Sequence, residues 1–371
     1  MSTLNTHILN NEDGDDHQLF QGQAQILNHL FSFAKSLAIK SAVELRIADI
    51  IHSHGQAMSL SQIASKLEST TTSPDASRLP RLMQFLVWNL IFTVEYNQTT
   101  SSSKDEREAL YGLTPTSRWL LHDYEFSLAP MFLTFTHPSL MAPWQEMGRS
   151  INEGGIAFDK VHGVSIWEKA SKDTEFNKLF NTGMASVTKA ILDAILCGYK
   201  EGFSKLQGTL VDVGGGIGRA VAKIVDAHPH IKGINFDLPH VVETAPVFPN
   251  ITHVGGDMFK EIPYADTVFI KSVLHDWEDE DCLKILKNCQ KAVSKSKGKV
   301  IIVDIVLYPD GKGPYEETKL GCDLLMMTIC GGKERTQHEW NKLLKDAGFA
   351  RHNIITIPAF VSIIEAFPQE N

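Results

Sequence analysis

The sequence predicts an α/β fold in which a doubly wound, mostly parallel sheet follows an N-terminal helical domain. From residue 205 onward, short apolar runs of strand length alternate with stretches of helix length. The first of these runs leads into a glycine cluster at 214–218, which is typical of a strand-to-helix turn that approaches a ligand. Before residue 125, the pattern instead indicates amphipathic helices and one β-hairpin. We therefore expect two domains in the 371 residues.

The first 125 residues predict a tail followed by a winged helix. Residues 1–18 are polar and acidic, and we expect them to form a disordered tail. Residues 19–125 predict helices at 24–39 and 42–51, a short helix that Ser59 caps and that reaches Leu67, a Ser/Thr loop at 69–77 and a helix at 79–90. Apolar runs at 92–96 and 110–113 flank a polar stretch at 97–108, which predicts the hairpin wing.

A winged helix either binds DNA or serves another purpose, such as dimerisation. Residues 18–125 contain nine Lys and Arg against ten Asp and Glu, and the whole chain has a net charge of −9. DNA binding depends on basic side chains that neutralise phosphates. The charge balance therefore favours a dimerisation domain over a DNA-binding regulator, which salt-dependent DNA binding would reveal.

The segment 126–200 is predicted to be helical and rich in large apolar side chains. Phe176, Phe180 and Met184 recur every four residues, so they share one helix face. Such a stripe is explained by core packing or by an aromatic pocket for a ligand. The two interpretations remain open at this point, and we assign the segment to the second domain, 126–371.

The strands of the second domain place several polar residues at one edge of the sheet. The predicted strands are 209–213, 233–236, 252–254, 267–270, 299–303 and a final pair near 353–357 and 361–366. Ligands of doubly wound sheets bind beyond the carboxyl ends of the strands. The residues that follow each strand are therefore the candidates for a binding site.

The glycine loop distinguishes between two nucleotide-like cofactors. A dinucleotide fingerprint counted from Gly214 requires a small residue at the position of Arg219. The pattern Asp212-x-Gly214-x-Gly216-x-Gly218 instead resembles the S-adenosylmethionine (SAM) loop of Rossmann-like methyltransferases. An ordinary glycine turn is the alternative.

Two further strand ends offer carboxylates. Asp237 follows the second strand, where a carboxylate accepts hydrogen bonds from a ribose diol or caps a helix. Asp257 follows the third strand beside Met258, where it suits an exocyclic amine next to a flat purine, or else stabilises a turn.

Five motifs in order resemble the plant small-molecule O-methyltransferases of the caffeate, isoflavone and benzylisoquinoline-alkaloid type, and the resemblance covers residue 20 to the C-terminus. These motifs are LVDVGGG at 210–216, DLPH at 237–240, GDMF at 256–259, HDW at 275–277 and GGKER at 331–335. The resemblance implies a Rossmann-like SAM methyltransferase domain with a mostly parallel seven-stranded sheet. It also implies a homodimer formed through the N-terminal winged-helix domain.

The resemblance also implies the site residues. SAM is expected to contact Gly214, Asp237, Leu238, Asp257, Met258 and Lys271, with Trp277 near the adenine. The residues expected to contact the methyl acceptor are Phe176, Phe180, Met184, Ile166, Leu325 and Ile329.

By the same resemblance, His275 is the general base, and Asp304 and Glu334 flank its imidazole. Members of the caffeate type carry Glu where this chain has Asp304, which is one methylene shorter, so we expect Glu334 to be the direct partner of the ring. Imidazole with an ordinary pKa near 6.5 is neutral at pH 7 and can take a phenolic proton as the oxygen attacks the methyl in line by an SN2 reaction. No metal is required.

The composition narrows the remaining alternatives. No apolar stretch reaches the roughly 18–20 residues of a membrane span, and residues 1–18 lack the features of a secretory signal. Five cysteines without a C-x-x-C pair favour reduced thiols and a cytosolic location. The Arg219 position disfavours a nicotinamide oxidoreductase, and the acidic charge disfavours a nucleic-acid methyltransferase. We expect a phenolic acceptor such as an alkaloid, flavonoid or phenylpropanoid, the alternative being a SAM-binding relative with another acceptor.

Overall fold

The computed structural model describes residues 14–67, 75–96, 108–293 and 298–368. The chain divides into two compact units, residues 1–136 and 137–371. The tail predicted at 1–18 lies outside the described residues up to residue 13, as do 69–74 of the Ser/Thr loop and 97–107 of the wing. Among the helices that the structure describes, none is long and apolar enough to cross a membrane.

The first unit is mainly helical and carries a small sheet. Its helices and strands are α1 (Gly14–Leu30), α2 (Ser32–Glu44), α3 (Ile47–His54), β1 (Met58–Ser59), α4 (Leu60–Ala64), α5 (Leu79–Trp88), β2 (Phe92–Tyr96), β3 (Ala109–Leu113), α6 (Pro115–Arg118) and α7 (Ala129–Phe135). The sheet has the antiparallel order β1-β3-β2, and Phe92 pairs with Leu113. The predicted wing hairpin and the winged-helix architecture are therefore confirmed.

Local structure in this unit differs from the prediction where the chain turns. The single helix predicted at 24–39 is divided at Phe31 between α1 and α2, and α1 begins at Gly14, within the predicted tail. The capping box predicted at Ser59 is present, because the Ser59 amide donates to Gln62 Oε1 at 2.8 Å. The helix that it starts ends at Ala64 rather than at Leu67.

The boundary of the first unit includes α7. Ala129 is fully buried in the same apolar core as Ala42 and Val43 of α2, and α7 packs against that helix. The second unit accordingly begins at residue 137, whereas the sequence analysis begins the second domain at residue 126.

The second unit opens with helices and continues as alternating strands and helices. Its elements are α8 (Pro138–Met141), α9 (Met147–Glu153), α10 (Ala157–His162), α11 (Ile166–Lys172), α12 (Thr174–Gly198), α13 (Lys200–Ser204), β4 (Thr209–Val213), α14 (Arg219–Ala227), β5 (Lys232–Asp237), α15 (Pro239–Val242), β6 (Ile251–Gly255), β7 (Thr267–Lys271), α16 (Asp279–Val293), β8 (Lys299–Asp304), β9 (Val306–Leu307), α17 (Glu316–Ile329), β10 (Arg335–Thr336), α18 (Gln337–Asp346), β11 (Phe349–Thr356) and β12 (Ser362–Pro368), with short 3-10 helices at Ala142–Glu146 and Leu274–Asp276.

Seven of these strands form the central sheet, in the order β11-β12-β8-β7-β4-β5-β6. The pairs from β6 through β8 are parallel, and β12 pairs antiparallel with β8 and with β11. The chain proceeds from β4 to one side through β5 and β6, and then returns to the other side at β7. This reversal creates a switch point at β4, where doubly wound sheets bind their ligands.

Helices cover both faces of the sheet and make two apolar cores. One core contains Cys282 and Leu286 of α16 with Trp340 of α18, all of them fully buried. The other contains Ile195 of α12 and Ile224 of α14. Because both faces are covered, the inner strands are almost continuously apolar, and polar side chains are confined to strand ends and a few buried positions.

Candidate active site

The glycine loop after β4 has a backbone that side chains would obstruct. Gly214, Gly216 and Gly218 have φ values of 69°, 58° and 85°, a region that favours glycine. A Cβ added to Gly215 would collide with Asp212 and Asn235. The loop leads into α14 at Arg219, so the free N–H groups of the helix start lie next to it. It is a cradle that a Cβ would fill.

Asp237 and Asn235 of β5 hold this loop in place. The amides of Gly216 and Leu238 each donate to the Asp237 carboxylate at 2.7 Å. Asn235, which is completely buried, donates through Nδ2 to the Gly216 carbonyl at 2.8 Å and lies 3.1 Å from His253 Nδ1. Asp237 was predicted as a site residue and Asn235 was not. An Asn within an otherwise apolar strand is nevertheless a pattern that could have indicated it.

Two aromatic rings, those of Phe259 and Trp277, meet near the carboxyl end of β6. Asp257 accepts a hydrogen bond from the Phe259 amide at 2.9 Å, and the carbonyl of Met258 accepts one from Asn288 at 2.9 Å. The Phe259 ring lies 4.9 Å from Trp277, with an interplanar angle of 80°. The structure therefore brings Asp257 and Met258 to one side of the loop that carries Trp277, as a purine site requires.

Two ionisable residues, the buried Asp212 and the half-buried Lys271, lie at the ends of the adjacent strands β4 and β7. Asp212 is 1% exposed, burial raises its pKa to about 7, and its Oδ2 atom has no hydrogen-bond partner among the described residues. Lys271, at the end of β7, donates to Thr188 Oγ1 of α12 at 3.2 Å. Burial lowers the pKa of Lys271, and the nearby Asp212 opposes that shift. The Asp212 carboxylate is a group that would attract a cofactor with a cationic centre.

His275 follows the end of β7 and meets three carboxylates. Its Nδ1 atom lies 2.8 Å from Glu334 Oε1 and 3.3 Å from Asp304 Oδ1, and its Nε2 atom lies 3.7 Å from Asp276 Oδ1. Glu334 and Asp304 are 3% and 1% exposed. The structure brings together the three residues that the sequence analysis selected and adds Asp276, which it had not assigned.

The carboxylates change the protonation of the ring. Burial alone lowers the pKa of His275, but Asp304, Asp276 and Glu334 outweigh it and raise the pKa to about 10. Burial also raises the pKa of Asp276 to about 6 and raises that of Glu334. The neutral imidazole that the sequence analysis expected from an ordinary pKa is therefore not the favoured form of this site at pH 7. An imidazolium balances the buried negative charge.

The short pairing of β9 with β10 positions the carboxylates of Asp304 and Glu334 beside the His275 ring. Arg335 pairs with Val306 and Thr336 with Leu307 in parallel. Glu334 directly precedes β10, and Asp304 precedes β9 by two residues, so the ladder places both side chains at the same ring. Asp304 Oδ1 lies 3.3 Å from His275 Nδ1, whereas Glu334 Oε1 lies 2.8 Å from it.

The expected acceptor residues lie on three helices, α11, α12 and α17. On α12, the rings of Phe176 and Phe180 stack with centroids 6.1 Å apart, and Trp167 meets Phe180 edge-on at 6.3 Å. Phe176 and Ile166 are buried at 3% and 1% exposure, so both are part of the helical packing. Met184 is half-buried on the same face of α12, one turn before Thr188, which contacts Lys271.

Leu325 and Ile329 belong to α17, which packs against α10. The ring centroids of Phe158 on α10 and Phe176 on α12 lie 6.4 Å apart, so α10 meets both α12 and α17. Ile329 is 5% exposed, whereas Leu325 is half-buried. The structure thus groups the α12 residues with one another and links them to α17 through α10.

Comparison with known proteins identifies a family. Residues 144–350 match the model of an O-methyltransferase domain, and residues 27–123 match that of an O-methyltransferase dimerisation domain. The chain is 50% identical to (R,S)-reticuline 7-O-methyltransferase of Papaver somniferum and 48% identical to desmethylxanthohumol 6'-O-methyltransferase of Humulus lupulus, in each case over 94% of this chain and 98% of the relative. The crystal structure of human N-acetylserotonin methyltransferase in complex with SAM shares the fold, with a TM-score of 0.78 at 22% identity over 94% of this chain and 98% of that one.

Proposed function

The chain belongs to the family of plant SAM-dependent O-methyltransferases, and from that premise we propose that it methylates a phenolic hydroxyl of an alkaloid, a flavonoid or a related phenylpropanoid, with His275 as the base. The observation that carries this proposal is the cluster of His275, Glu334 and Asp304 at the carboxyl edge of the sheet. That edge also carries the glycine loop, so the base and the cofactor loop belong to one site.

SAM is the cofactor, and when bound it supplies a methyl group on a sulfonium for in-line displacement by the phenolic oxygen. We propose that the backbone at Gly214 lies against it and that Asp237 and Leu238 hold the ribose. Asp257 and Met258 would bind the adenine beside Trp277, and Lys271 would lie below. The cradle without Cβ atoms, the orphaned Asp212 oxygen and the contact between the two aromatic rings support this assignment.

The base addresses a specific energetic problem. A phenol with a pKa of about 10 is ionised in about one molecule per thousand at pH 7, a deficit of roughly 4 kcal/mol. Because Glu334 and Asp304 occupy Nδ1, the opposite nitrogen, Nε2, is the atom that takes the phenolic proton after the imidazolium has lost its own proton there. The same carboxylates then stabilise the imidazolium that forms.

The acceptor is proposed to lie against the aromatic face of α12. Phe176, Phe180 and Met184 offer flat, polarisable surfaces that suit an acceptor of two to four rings. Ile166, Leu325 and Ile329 would complete the lining. The relatives named above act, as their names state, on reticuline and on desmethylxanthohumol, and these two acceptors support the proposed acceptor class.

A metal-assisted reaction is the second candidate, and one observation favours it. Ligand atoms of His275, Asp304 and Glu334 all lie within 4.8 Å of one another, a spacing that a divalent cation also accepts. We favour the metal-independent reaction because His275 Nδ1 already meets Glu334 Oε1 and Asp304 Oδ1, although the second oxygen of each carboxylate has no hydrogen-bond partner among the described residues. Turnover is expected to persist in excess EDTA, and a loss that Mg²⁺ or Zn²⁺ restores would favour the metal.

The first unit is proposed to form a homodimer. The match to a dimerisation domain and the exposed apolar side chains of α1 and α2 support this assembly. These side chains include Leu19, Phe20, Ile26, Leu27, Leu30, Phe31 and Phe33.

The test of the activity is a SAM-dependent assay over a panel of phenolic alkaloids, flavonoids and phenylpropanoids, read by mass spectrometry. We expect a gain of one methylene per acceptor, with the position of the new methoxy group fixed for each product. Transfer to amines alone, or specific salt-dependent DNA binding without methyl transfer, would replace the proposal with one of its alternatives.

A further inference from the structure

Arg335 is a buried guanidinium that does not touch the catalytic ring but holds the turn that carries it. Its side chain is completely buried. Its Nη1 atom donates to the Leu274 carbonyl at 2.9 Å, and its Nη2 atom donates to the Trp277 carbonyl at 2.8 Å. These two carbonyls bracket His275 and Asp276, so one planar group spans the whole turn.

The charge of Arg335 is balanced on the far side of the turn. Asp279, in the first turn of α16, accepts hydrogen bonds from Nε at 3.0 Å and lies 2.9 Å from Nη2. Arg335 also lies 3.3 Å from Cys282 Sγ and 5.5 Å from the ring centroid of Trp340. The guanidinium is therefore paired as well as hydrogen-bonded, as a buried cation must be.

The residues that precede Arg335 hold the middle of the same turn. The Lys333 amide donates to the His275 carbonyl at 2.9 Å. A Cβ added to Gly332 would collide with that carbonyl, so the two backbones are in close contact. The Glu334 carboxylate is hydrogen-bonded to Nδ1 of the His275 ring. The segment 332–335 thus fixes the main chain before, at and after His275, together with its side chain.

We propose that Arg335 is a positioning residue that sets the location of the His275 imidazole for proton transfer. The proposal rests on the proposed function, in which His275 is the base. Proton transfer requires the base within about 2.6–3.2 Å of the proton donor, so a small shift of the turn reduces the rate steeply. Lysine could not replace Arg335, because a single ammonium lacks the planar fork that reaches both carbonyls.

The experiment compares Arg335→Lys in two backgrounds, the natural chain and His275→Ala. In the natural chain, we expect Arg335→Lys to lower kcat by about 10- to 100-fold and to change the SAM Kd, measured by calorimetry, by less than about 2-fold. In the His275→Ala background, the same substitution should change the residual rate by less than about 2-fold, because there is no imidazole left to position.

A matched control removes another buried ion pair, at the opposite end of β8. Lys299 lies 2.6 Å from Glu365, and both side chains are largely buried. Glu365→Gln should lower the melting temperature without changing kcat at a temperature where the variant is folded. If Arg335→Lys does not yield folded protein, Asp279→Asn releases one end of the guanidinium and should show the same pattern with a smaller loss.

Three results would overturn the proposal. They are an unchanged kcat, equal losses in both backgrounds, and a SAM affinity that weakens in proportion to turnover. An active His275→Ala enzyme is a different outcome, since it would overturn the base itself and with it both this inference and the proposed mechanism. Loss of activity in His275→Ala with a normal Arg335→Lys enzyme would overturn only the positioning role.

Discussion

At the residue scale, the two nitrogens of His275 have different environments. Nδ1 lies against Glu334 and Asp304, and Nε2 lies 3.7 Å from Asp276. Because negative charge surrounds the ring, the pKa of His275 rises to about 10 although the site is buried. The proposed base must lose this proton before it can accept one from a phenol.

This raised pKa predicts the pH dependence of the reaction. A group with a pKa of about 10 is protonated at pH 7, and its basic form increases as pH rises. The acceptor kcat/KM should therefore increase from pH 7 toward pH 10 in a stopped-time assay, rather than level off near pH 6.5.

A substitution separates the titration of the enzyme from that of the phenol. Glu334→Gln removes one negative charge, which lowers the His275 pKa and should shift the rising limb to lower pH. His275 is not the titrating group if the rising part of the kcat/KM profile occurs at the same pH in Glu334→Gln as in the natural chain. The same conclusion holds if that part of the profile follows only the pKa of each phenol tested.

The grouping of candidate residues was predictable where motifs name them, and their roles stay predictions. The resemblance selected His275, Asp304 and Glu334, and the structure places all three together. The charge state of the ring was not predictable, because it depends on distances between residues that are up to 59 positions apart. Asp276 and Arg335 were quoted within motifs, but their contacts need three-dimensional positions to be recognised.

At the element scale, the strands are the best-predicted part of the chain. The runs predicted at 209–213 and 92–96 agree with β4 and β2, since a continuous apolar run and a hairpin each leave a clear pattern. Breaks between consecutive helices were missed at Phe31, because the apolar periodicity continues across the break. The two-residue pairing of β9 and β10 leaves no periodicity at all, although it sets the carboxylates at the ring.

The glycine loop gives a prediction at this scale. Gly215→Ala would place a Cβ against Asp212 and Asn235, so the loop must move away from its position in the structure. We expect the SAM Kd, measured by calorimetry, to increase by about 10-fold or more, and the stability to decrease by about 1–3 kcal/mol.

Gly321 is the matched control for that substitution. It lies on α17 with nothing within 4 Å of an added Cβ. Gly321→Ala should leave the SAM Kd unchanged and stabilise the helix by up to about 1 kcal/mol. Equal effects of the two substitutions would contradict the account of the loop.

At the scale of the whole molecule, the exposed apolar face of the first unit predicts a dimer. Leu27 and Phe31 are 50% and 60% exposed, on α1 and at its junction with α2. The double substitution Leu27→Glu and Phe31→Glu should convert the dimer into a monomer, as measured by light scattering during size-exclusion chromatography, because it places charges in a surface that must lose water.

The control for assembly lies in the second unit. Ile151 of α9 is 70% exposed. Ile151→Glu should leave the protein dimeric, as judged by the molar mass from light scattering. A natural chain that is monomeric at micromolar concentration, or a dimer that tolerates the double substitution, would exclude this face as the interface.

The architecture of the whole molecule followed from the order of its patterns. Helices and a wing come first, and strands that alternate with helices follow, so the fold class was available from the sequence. The junction between the two units was not predictable from the sequence, because α7 resembles the helices that follow it. In the structure, Ala129 of α7 packs in the core of the first unit. The composition of a helix does not reveal which neighbour it packs against.

The most direct measurement compares turnover and cofactor affinity for His275→Gln, with a phenolic acceptor identified from the panel. The account predicts that kcat falls by about 10²- to 10⁴-fold while the SAM Kd changes by less than about 2-fold. A variant that retains its turnover, or one whose SAM affinity falls in step with its turnover, would contradict the claim that His275 removes the phenolic proton.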